Sequence, residues 1–308
     1  MLIKGLSNLT DKHRPSVVSI GNYDGVHLGH QYLVESLLAK STELQVPSTI
    51  ITFEPLAKEF FSPESALRLT SLQQRANLLM ELGVDQVLCI DFTQELADYS
   101  PSSFVKEILI DGLGVQHLCV GDDFRFGRNR AGDFEFLLEV GKQQGFCVAA
   151  HDTFELNQER VSSGRVRQAL VDNDFDLAAQ LLGRPYAITG NISRGQQLGR
   201  TINFPTANLE LGNYNLAVNG VFAVTCLLNH QHAWTQGVAN IGKRPTVDGK
   251  RNRLEVHLFD FDQDIYGQDL QVILHKKIRD EQKFDSVDDL KCQIQRDVQS
   301  AKEYFKKV

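Results

Sequence analysis

The sequence predicts an α/β domain followed by an all-β domain: an open parallel sheet with crossover helices, then a small antiparallel barrel closed by a C-terminal helix. Three observations carry this. Apolar, strand-like runs at 16–20, 48–53, 86–90 and 117–120 alternate with helical spacing at 31–40, 71–82, 102–109 and 133–144. Alternation of that kind builds a parallel sheet with helical crossovers. Beyond Gly183-Arg184-Pro185 the pattern changes to short runs at 188–192, 221–227, 234–239, 253–259 and 270–274, with no long helix between them. Consecutive strands without crossovers form an antiparallel sheet, most economically a closed barrel. The length of 308 residues also exceeds what one core usually holds, so two domains are expected, 1–183 and 184–308.

Composition narrows the class. Apolar residues at 42% and charged ones at 23% describe an ordinary soluble globular protein. No run approaches the roughly 18 apolar residues of a membrane span, and residues 1–14 lack a signal-peptide core, so a cytoplasmic location is expected. Five scattered cysteines, none in C-x-x-C spacing, suggest reduced packing thiols and argue against a zinc site. A net charge of −7 argues against nucleic acid as partner. A small polyphosphate needs only a local cationic cluster, and Arg125/Arg128/Arg130 and Arg165/Arg167 offer two.

The first strand, 16–20, runs directly into Gly21-Asn22-Tyr23-Asp24-Gly25-Val26-His27-Leu28-Gly29-His30, after which Leu33, Leu37 and Leu38 recur at helical spacing. A strand, a glycine turn and a helix start therefore meet within a dozen residues. Helix N-termini present free N–H groups and a positive dipole end, a natural seat for phosphate. His27 and His30, three apart, share that end and could stabilise charge growing on a phosphoryl group. A plain turn with two surface histidines is the competing interpretation of a lone histidine or glycine pair; the whole tetrad after a strand is more specific.

In an open α/β sheet ligands gather beyond the carboxyl ends of the strands. Thr52-Phe53-Glu54-Pro55 lies beyond the second strand, and Gly121-Asp122-Asp123-Phe124-Arg125-Phe126-Gly127 beyond the fourth. Glu54-Pro55 could equally just end a strand. In the later loop, aromatic and guanidinium groups alternate, which suits a flat ring and a phosphate together. Ser162 and Ser163 precede a helical run at 168–171; they could cap it, or join Arg167 in holding phosphates. A further helix is expected at 174–182.

In the second half, Gly195 and Gly199 with Arg194 and Arg200 could wrap a polyphosphate, or simply form a hairpin. Asn203-Phe204-Pro205-Thr206-Ala207-Asn208 is more specific: Thr206 and Asn208 offer two neutral oxygens, the kind of donor Mg²⁺ accepts. Residues 254–259 alternate, with Leu254, Val256 and Leu258 on one face and Glu255, His257 and Phe259 on the other. A lone strand glutamate is normally solvated. The C-terminal helix is expected over 286–304, with Ser286 as cap and Asp288 and Asp289 in its first turn.

The His27-x-Gly29-His30 tetrad resembles that of nucleotidyltransferases, which attach a nucleoside monophosphate to a phosphate and release pyrophosphate. With Asn22, Asp24 and Gly25 it resembles, in particular, the prokaryotic bifunctional riboflavin kinase/FAD synthetases. The Gly121–Gly127 loop, Ser162-Ser163-x-x-x-Arg167, Pro205-Thr206-Ala207-Asn208, the stretch around Asn240 and Lys277–Phe284 follow in that family's order across the whole chain. The departures are Tyr23 for Phe, Leu56-Ala57 where a further proline is usual, and Gly164 for Thr. The resemblance implies a Rossmann-like nucleotidyltransferase domain and a riboflavin kinase barrel. It also implies Mg²⁺, ATP as co-substrate in both halves, and riboflavin, FMN and FAD as substrates and products. His27 and His30 would act as phosphate donors, and Glu255 as the base for the riboflavin 5′-hydroxyl. Thr206 and Asn208 would help hold Mg²⁺–ATP. Gly21, Asn22, Asp24, Gly25, Gly121, Asp122, Phe124, Arg125, Ser162, Ser163 and Arg167 would form the adenylyltransferase site. Gly195, Gly199, Arg200 and Asn240 would serve the kinase, with Arg279 and Glu281 in a loop over the flavin. The rivals are a kinase whose transferase half has decayed, a transferase with another acceptor, and a flavin-binding regulator without turnover. Nothing in the sequence bears on oligomeric state.

Overall fold

Strands β1 Leu2–Lys4, β2 Ser16–Ile20, β3 Ser48–Glu54, β4 Leu67–Arg68, β5 Gln86–Asp91, β6 Val115–Gly121 and β7 Cys147–His151 are found in the first part of the chain. All but β4 form one sheet in the order β1-β5-β3-β2-β6-β7, with every pairing parallel. The computed structural model describes residues 1–194, 204–212, 214–228, 233–246 and 249–307. Two units emerge: Met1–Ala66 with Leu72–Ser163, and Leu67–Ser71 with Gly164–Val308.

Helices α1 Leu28–Leu44, α2 Ala57–Phe61, α3 Leu72–Glu81, α4 Gln94–Ala97, α5 Pro101–Phe104 (continued by a π-helical stretch, Val105–Gly112) and α6 Phe134–Gln144 connect the strands. Neighbouring strand residues point to opposite faces, and each face has its own core. Val18, Ile20, Ile51, Leu88 and Val120 pack with Phe104 and Ile108; Val17, Ile50 and Val87 pack with Leu37 and Leu79. The four strands expected from sequence are present, together with β1 and β7, which the sequence pattern does not announce. Both are sheet edges, where one flank lacks a neighbour and the apolar run that marks a buried strand is weak. A short hairpin of β8 Glu155–Leu156 and β9 Glu159–Arg160 follows, then α7 Ser163–Val171 and α8 Phe175–Leu182.

The second unit is a closed barrel. Its strands are β10 Ala187–Ser193, β11 Ala207–Glu210, β13 Gly220–Leu228, β14 Thr235–Thr246, β15 Gly249–Leu258 and β16 Asp269–Arg279, while β12 Asn215–Leu216 pairs apart with β4. The order β10-β11-β15-β14-β13-β16 closes through antiparallel pairing of β10 with β16. Leu254, Val256, Leu270 and Val272 are fully buried. On the other face Val221, Ala223, Val238 and Phe259 are covered by α9 Val287–Phe305 through Ala301, Val298 and Tyr304. Ser286 caps α9 as expected, its hydroxyl accepting from the Asp289 N–H at 3.1 Å. Strand β11 is the barrel strand the sequence hides, because it has only four residues and the first two, Ala207 and Asn208, belong to the Pro-Thr-Ala-Asn stretch.

Of the five cysteines, Cys89, Cys119 and Cys226 are buried packing residues, and Cys147 and Cys292 are exposed. His117 is buried and His151 and His275 are half-buried, and desolvation lowers the pKa of each. His275 sits with Nε2 at 2.7 Å from the Thr225 hydroxyl and its ring against Phe305. A folded-state pKa below the ordinary value of about 6.5 means the unfolded chain binds more protons. Stability from these groups is therefore complete above about pH 6.5 and is lost as pH falls toward the lowered values. Thermal melts should show a falling midpoint from pH 7 to pH 5, and no change from these groups between pH 7 and pH 8. A midpoint rising on acidification would contradict this.

Candidate active sites

At the carboxyl edge of the sheet, β3, β2 and β6 are neighbours, so their three following loops share one rim. Gly21 leaves β2 with its N–H bonded to the Ile51 carbonyl at 3.0 Å. The turn then passes through positive φ at Tyr23 (48°), Gly25 (84°) and Val26 (43°). Two non-glycine residues in that region store strain, of order 1–3 kcal/mol each, and strained turns of this kind cluster at functional sites. Buried contacts hold the turn in place. The Tyr23 hydroxyl lies 2.6 Å from Ser19 Oγ, and burial pushes its pKa up. The Asn22 carbonyl accepts from the Thr52 hydroxyl at 3.1 Å and from Arg75 Nη1 at 3.0 Å. Arg75 is fully buried, and its Nη2 also reaches the Phe53 carbonyl at 3.2 Å and the Glu54 carboxylate at 3.4 Å.

His27 ends the turn as the N-cap of α1. Its Nδ1 accepts from the His30 backbone N–H at 3.3 Å, which places the neutral ring's proton on Nε2. The His27 and His30 rings stack with centroids 3.6 Å apart and an interplanar angle of 17°, and Tyr23 lies behind His30 at 4.8 Å. Gly29 packs closely beneath the pair: a Cβ there would stand 3.3 Å from the His27 ring and 3.3 Å from the Val161 carbonyl, tighter than usual contact. Ser163 is also joined to the turn, its hydroxyl donating to the Asp24 carbonyl at 2.8 Å, and Asp24 is fully buried. Within the first unit the structure thus brings together Gly21, Asn22, Asp24, Gly25, His27, His30 and Ser163. Ser162 is half-buried beside Ser163, and Arg167 is half-buried on α7.

The loop after β6 is less engaged. Gly121 ends the strand, while Asp122 and Arg125 are exposed. Phe124 stacks on the buried Phe126 ring at 5.5 Å and 15°, so both phenylalanines extend the core, and only Arg125 faces outward between them. Arg75 was not predicted as a site residue; an arginine on an amphipathic helix looks like surface charge. Arg75→Met should lower stability by about 2–4 kcal/mol, because the buried fork's hydrogen bonds to Asn22 and Phe53 go with it. Urea denaturation measures the loss, and an unchanged midpoint would contradict this account of the turn.

On the barrel, a cavity of about 320 Å³ opens between the sheet's outer face, the 279–284 segment and α9. Register places three predicted residues in one row across adjacent strands: Asn208 of β11 opposite Glu255 of β15, and Glu255 opposite Asn240 of β14. Glu255, His257 and Phe259 leave β15 on the same side, as the alternation predicts, but that side is not simply solvated. Phe259 packs under α9, and His257 Nδ1 donates to the Pro205 carbonyl at 2.9 Å. The Arg253 guanidinium pairs with Glu255 and also donates to Asn208 Oδ1 from Nε at 3.1 Å and Nη2 at 2.7 Å. A second cavity, of about 650 Å³, shares Thr206 with the first and is bounded by Pro205, Ala207 and the 261–266 loop.

Arg279 lines the first cavity but has its fork committed: Nε and Nη2 grip the Asp297 carboxylate of α9 at 2.8–3.1 Å. Asp297 is buried and lay outside the sequence prediction. The Glu281 carboxylate lies directly over Gly242, where any Cβ would overlap it. Gly195, Gly199 and Arg200 lie outside the described residues. Arg253 had a legible signal, since it stands two before Glu255 on one strand.

Two clusters of polar side chains, one at the rim of a parallel sheet and one beside a barrel cavity, give the chain the layout of a two-domain transferase. The FAD synthetase family model matches residues 9–165, and the riboflavin kinase family model matches residues 182–305. The chain is 50% identical over 303 residues to a bifunctional riboflavin kinase/FMN adenylyltransferase of Pseudomonas fluorescens, covering 98% of this chain and 96% of that one. It is 45% identical over 306 residues to the protein so described in Escherichia coli strain K12, covering 99% and 97%. A solved structure described as a macrolide-efflux protein from Streptococcus pneumoniae aligns with a TM-score of 0.73 at 30% identity, covering 96% of each chain. The chain belongs to the family of bifunctional riboflavin kinase/FMN adenylyltransferases. Among the described residues no helix is long and apolar enough to cross a membrane.

Proposed function

We propose that the chain performs both steps of flavin nucleotide synthesis: ATP phosphorylates riboflavin to FMN at the barrel, and the α/β unit adenylylates FMN with ATP to FAD, releasing pyrophosphate. The observation that carries this is the match of both family models to one chain, each falling on a unit with its own constellation. The functional halves are taken as 1–183 and 184–308, and the cytoplasm is the proposed location.

For the first step, the smaller cavity has apolar walls from Val221, Val238, Phe204 and Phe284, suited to a flat tricyclic ring. Glu255 at its polar end takes the proton of the 5′-hydroxyl as the γ-phosphoryl group arrives. Thr206 lines both cavities, so the nucleotide is assigned to the larger one and the transfer to the shared wall. Asn240 orients the hydroxyl beside Glu255, Arg279 and Glu281 close the flavin side, and Gly195, Gly199 and Arg200 wrap the phosphates. Thr206 Oγ1 and Asn208 Oδ1 are hard, neutral oxygens that fit Mg²⁺, which commonly keeps water and substrate phosphates as its other ligands. Among the described residues no cluster of three His, Cys, Asp or Glu gathers, which suits a metal that arrives with its nucleotide. When bound, Mg²⁺ would neutralise phosphate charge.

For the second step, the FMN phosphate is itself an anionic nucleophile, so no covalent intermediate with the protein is required. The task is alignment and relief of charge on the departing pyrophosphate. His27 Nε2–H and His30 donate there. Gly21, Asn22, Asp24 and Gly25 shape the turn, and Ser162, Ser163 and Arg167 hold further phosphate oxygens. Gly121, Asp122, Phe124 and Arg125 border the flavin nucleotide.

Incubation with riboflavin and Mg²⁺–ATP, with the flavins resolved by chromatography, tests this. FMN should appear first and then convert to FAD with one pyrophosphate released per FAD. FMN alone would mean a dead transferase half, and neither product would favour the regulator. FAD from added FMN with inert riboflavin would overturn the kinase assignment.

A further inference from the structure

Arg253 has no part in either step above, yet it touches two residues to which those steps give work. Its Nε and Nη2 both donate to Asn208 Oδ1, at 3.1 and 2.7 Å, and it pairs with the Glu255 carboxylate. An amide oxygen has two acceptor sites, and a fork of this kind fills both. A carbonyl held this way has no lone pair for a second cation, and the guanidinium charge repels one directly. Asn208 is itself buried and is held opposite Glu255 by strand register, so its oxygen cannot easily turn elsewhere.

We propose that Arg253 is a positioning residue that competes with the metal for Asn208. In the free protein its guanidinium occupies the Asn208 oxygen; when the metal–nucleotide complex binds, it withdraws from that oxygen and stays paired with Glu255. The strand geometry allows this, because Arg253 and Glu255 leave β15 on the same side and the exchange needs only torsions at the end of the arginine chain. Metal affinity at this site is then lowered by the fraction of molecules in which Asn208 is engaged. The inference rests on the assignment of Asn208 to Mg²⁺.

Calorimetric titration of the full chain with ADP at graded Mg²⁺, without riboflavin so that no turnover occurs, tests it. The component of the isotherm that Asn208→Ala weakens reports the barrel site. Arg253→Met keeps the packing of the stem and removes the fork; the half-saturating Mg²⁺ concentration for that component should fall by about 3–10-fold. Arg253→Lys, with a point charge in place of the fork, should lie between Met and the parent. In Arg253→Met/Asn208→Ala the benefit of Met should vanish, since it acts only through Asn208. An unchanged or raised Mg²⁺ requirement in Arg253→Met, with Asn208→Ala still effective, overturns the inference and leaves the metal assignment standing. If Asn208→Ala alters no component, the metal assignment falls and takes the inference with it.

Discussion

Glu255→Gln is expected to slow FMN formation from riboflavin by about 10²–10⁴-fold, the usual contribution of a positioned general base. The substitution keeps the shape and hydrogen-bonding reach of the side chain and removes only its capacity to take a proton. The pair with Arg253 has side chains only 27% and 24% exposed, so a thermal melt accompanies the assay and separates lost pairing from lost catalysis. FAD formation from supplied FMN should continue at the parent rate, because the histidine turn lies on the other unit. Initial rates at saturating Mg²⁺–ATP, followed by flavin chromatography, measure both. Undiminished phosphorylation would remove Glu255 from its role.

His30→Ala should produce the opposite pattern, with FAD formation from FMN lowered by about 10²–10³-fold, as for loss of one preorganised donor at a developing charge. The interaction strengthens as the pyrophosphate departs, so kcat should fall far more than KM for ATP rises. FMN formation from riboflavin should be untouched. The ring is half-buried between His27 and Tyr23, so a thermal melt accompanies the assay. A lower KM-corrected rate with an unchanged melt places the effect in catalysis. His27→Ala should cost more stability, since His27 also caps α1 and loss of an N-cap costs about 1 kcal/mol.

Much of this is legible in the sequence. Strand-then-glycine-turn-then-helix spacing placed His27 and His30 at a helix start, and the chain does place them there. Sequence could not disclose that the rings stack, because this depends on side-chain rotamers, nor that the Val161 carbonyl returns from more than a hundred residues away to crowd Gly29. The same limit hid Arg75. Its role comes from the hydrogen bonds it makes from α3 to the Asn22 and Phe53 carbonyls, long-range contacts that no local pattern encodes. In the barrel, period-two alternation put Glu255 on the correct face. Its row with Asn208 and Asn240 required the register of three strands, one of which, β11, is too short to show a pattern. Arg279 lines the cavity, but its grip on Asp297 depends on how α9 docks. The edge strands β1 and β7 were missed for lack of apolar signal, and their absence from the prediction left the site unaffected, since it lies at β3, β2 and β6.

One chain is expected to carry two separate phosphate-handling sites, one of them dependent on His30 and the other on Glu255. Mixing the two single variants tests it most directly. Given riboflavin and Mg²⁺–ATP, Glu255→Gln alone should yield almost no product and His30→Ala alone should stop at FMN. An equimolar mixture should proceed to FAD, because FMN released by one variant is adenylylated by the other. A mixture that stops at FMN, while Glu255→Gln alone still converts supplied FMN to FAD, would contradict free passage of FMN between separate sites; FAD from His30→Ala alone would contradict the assignment of the second step to the histidine turn.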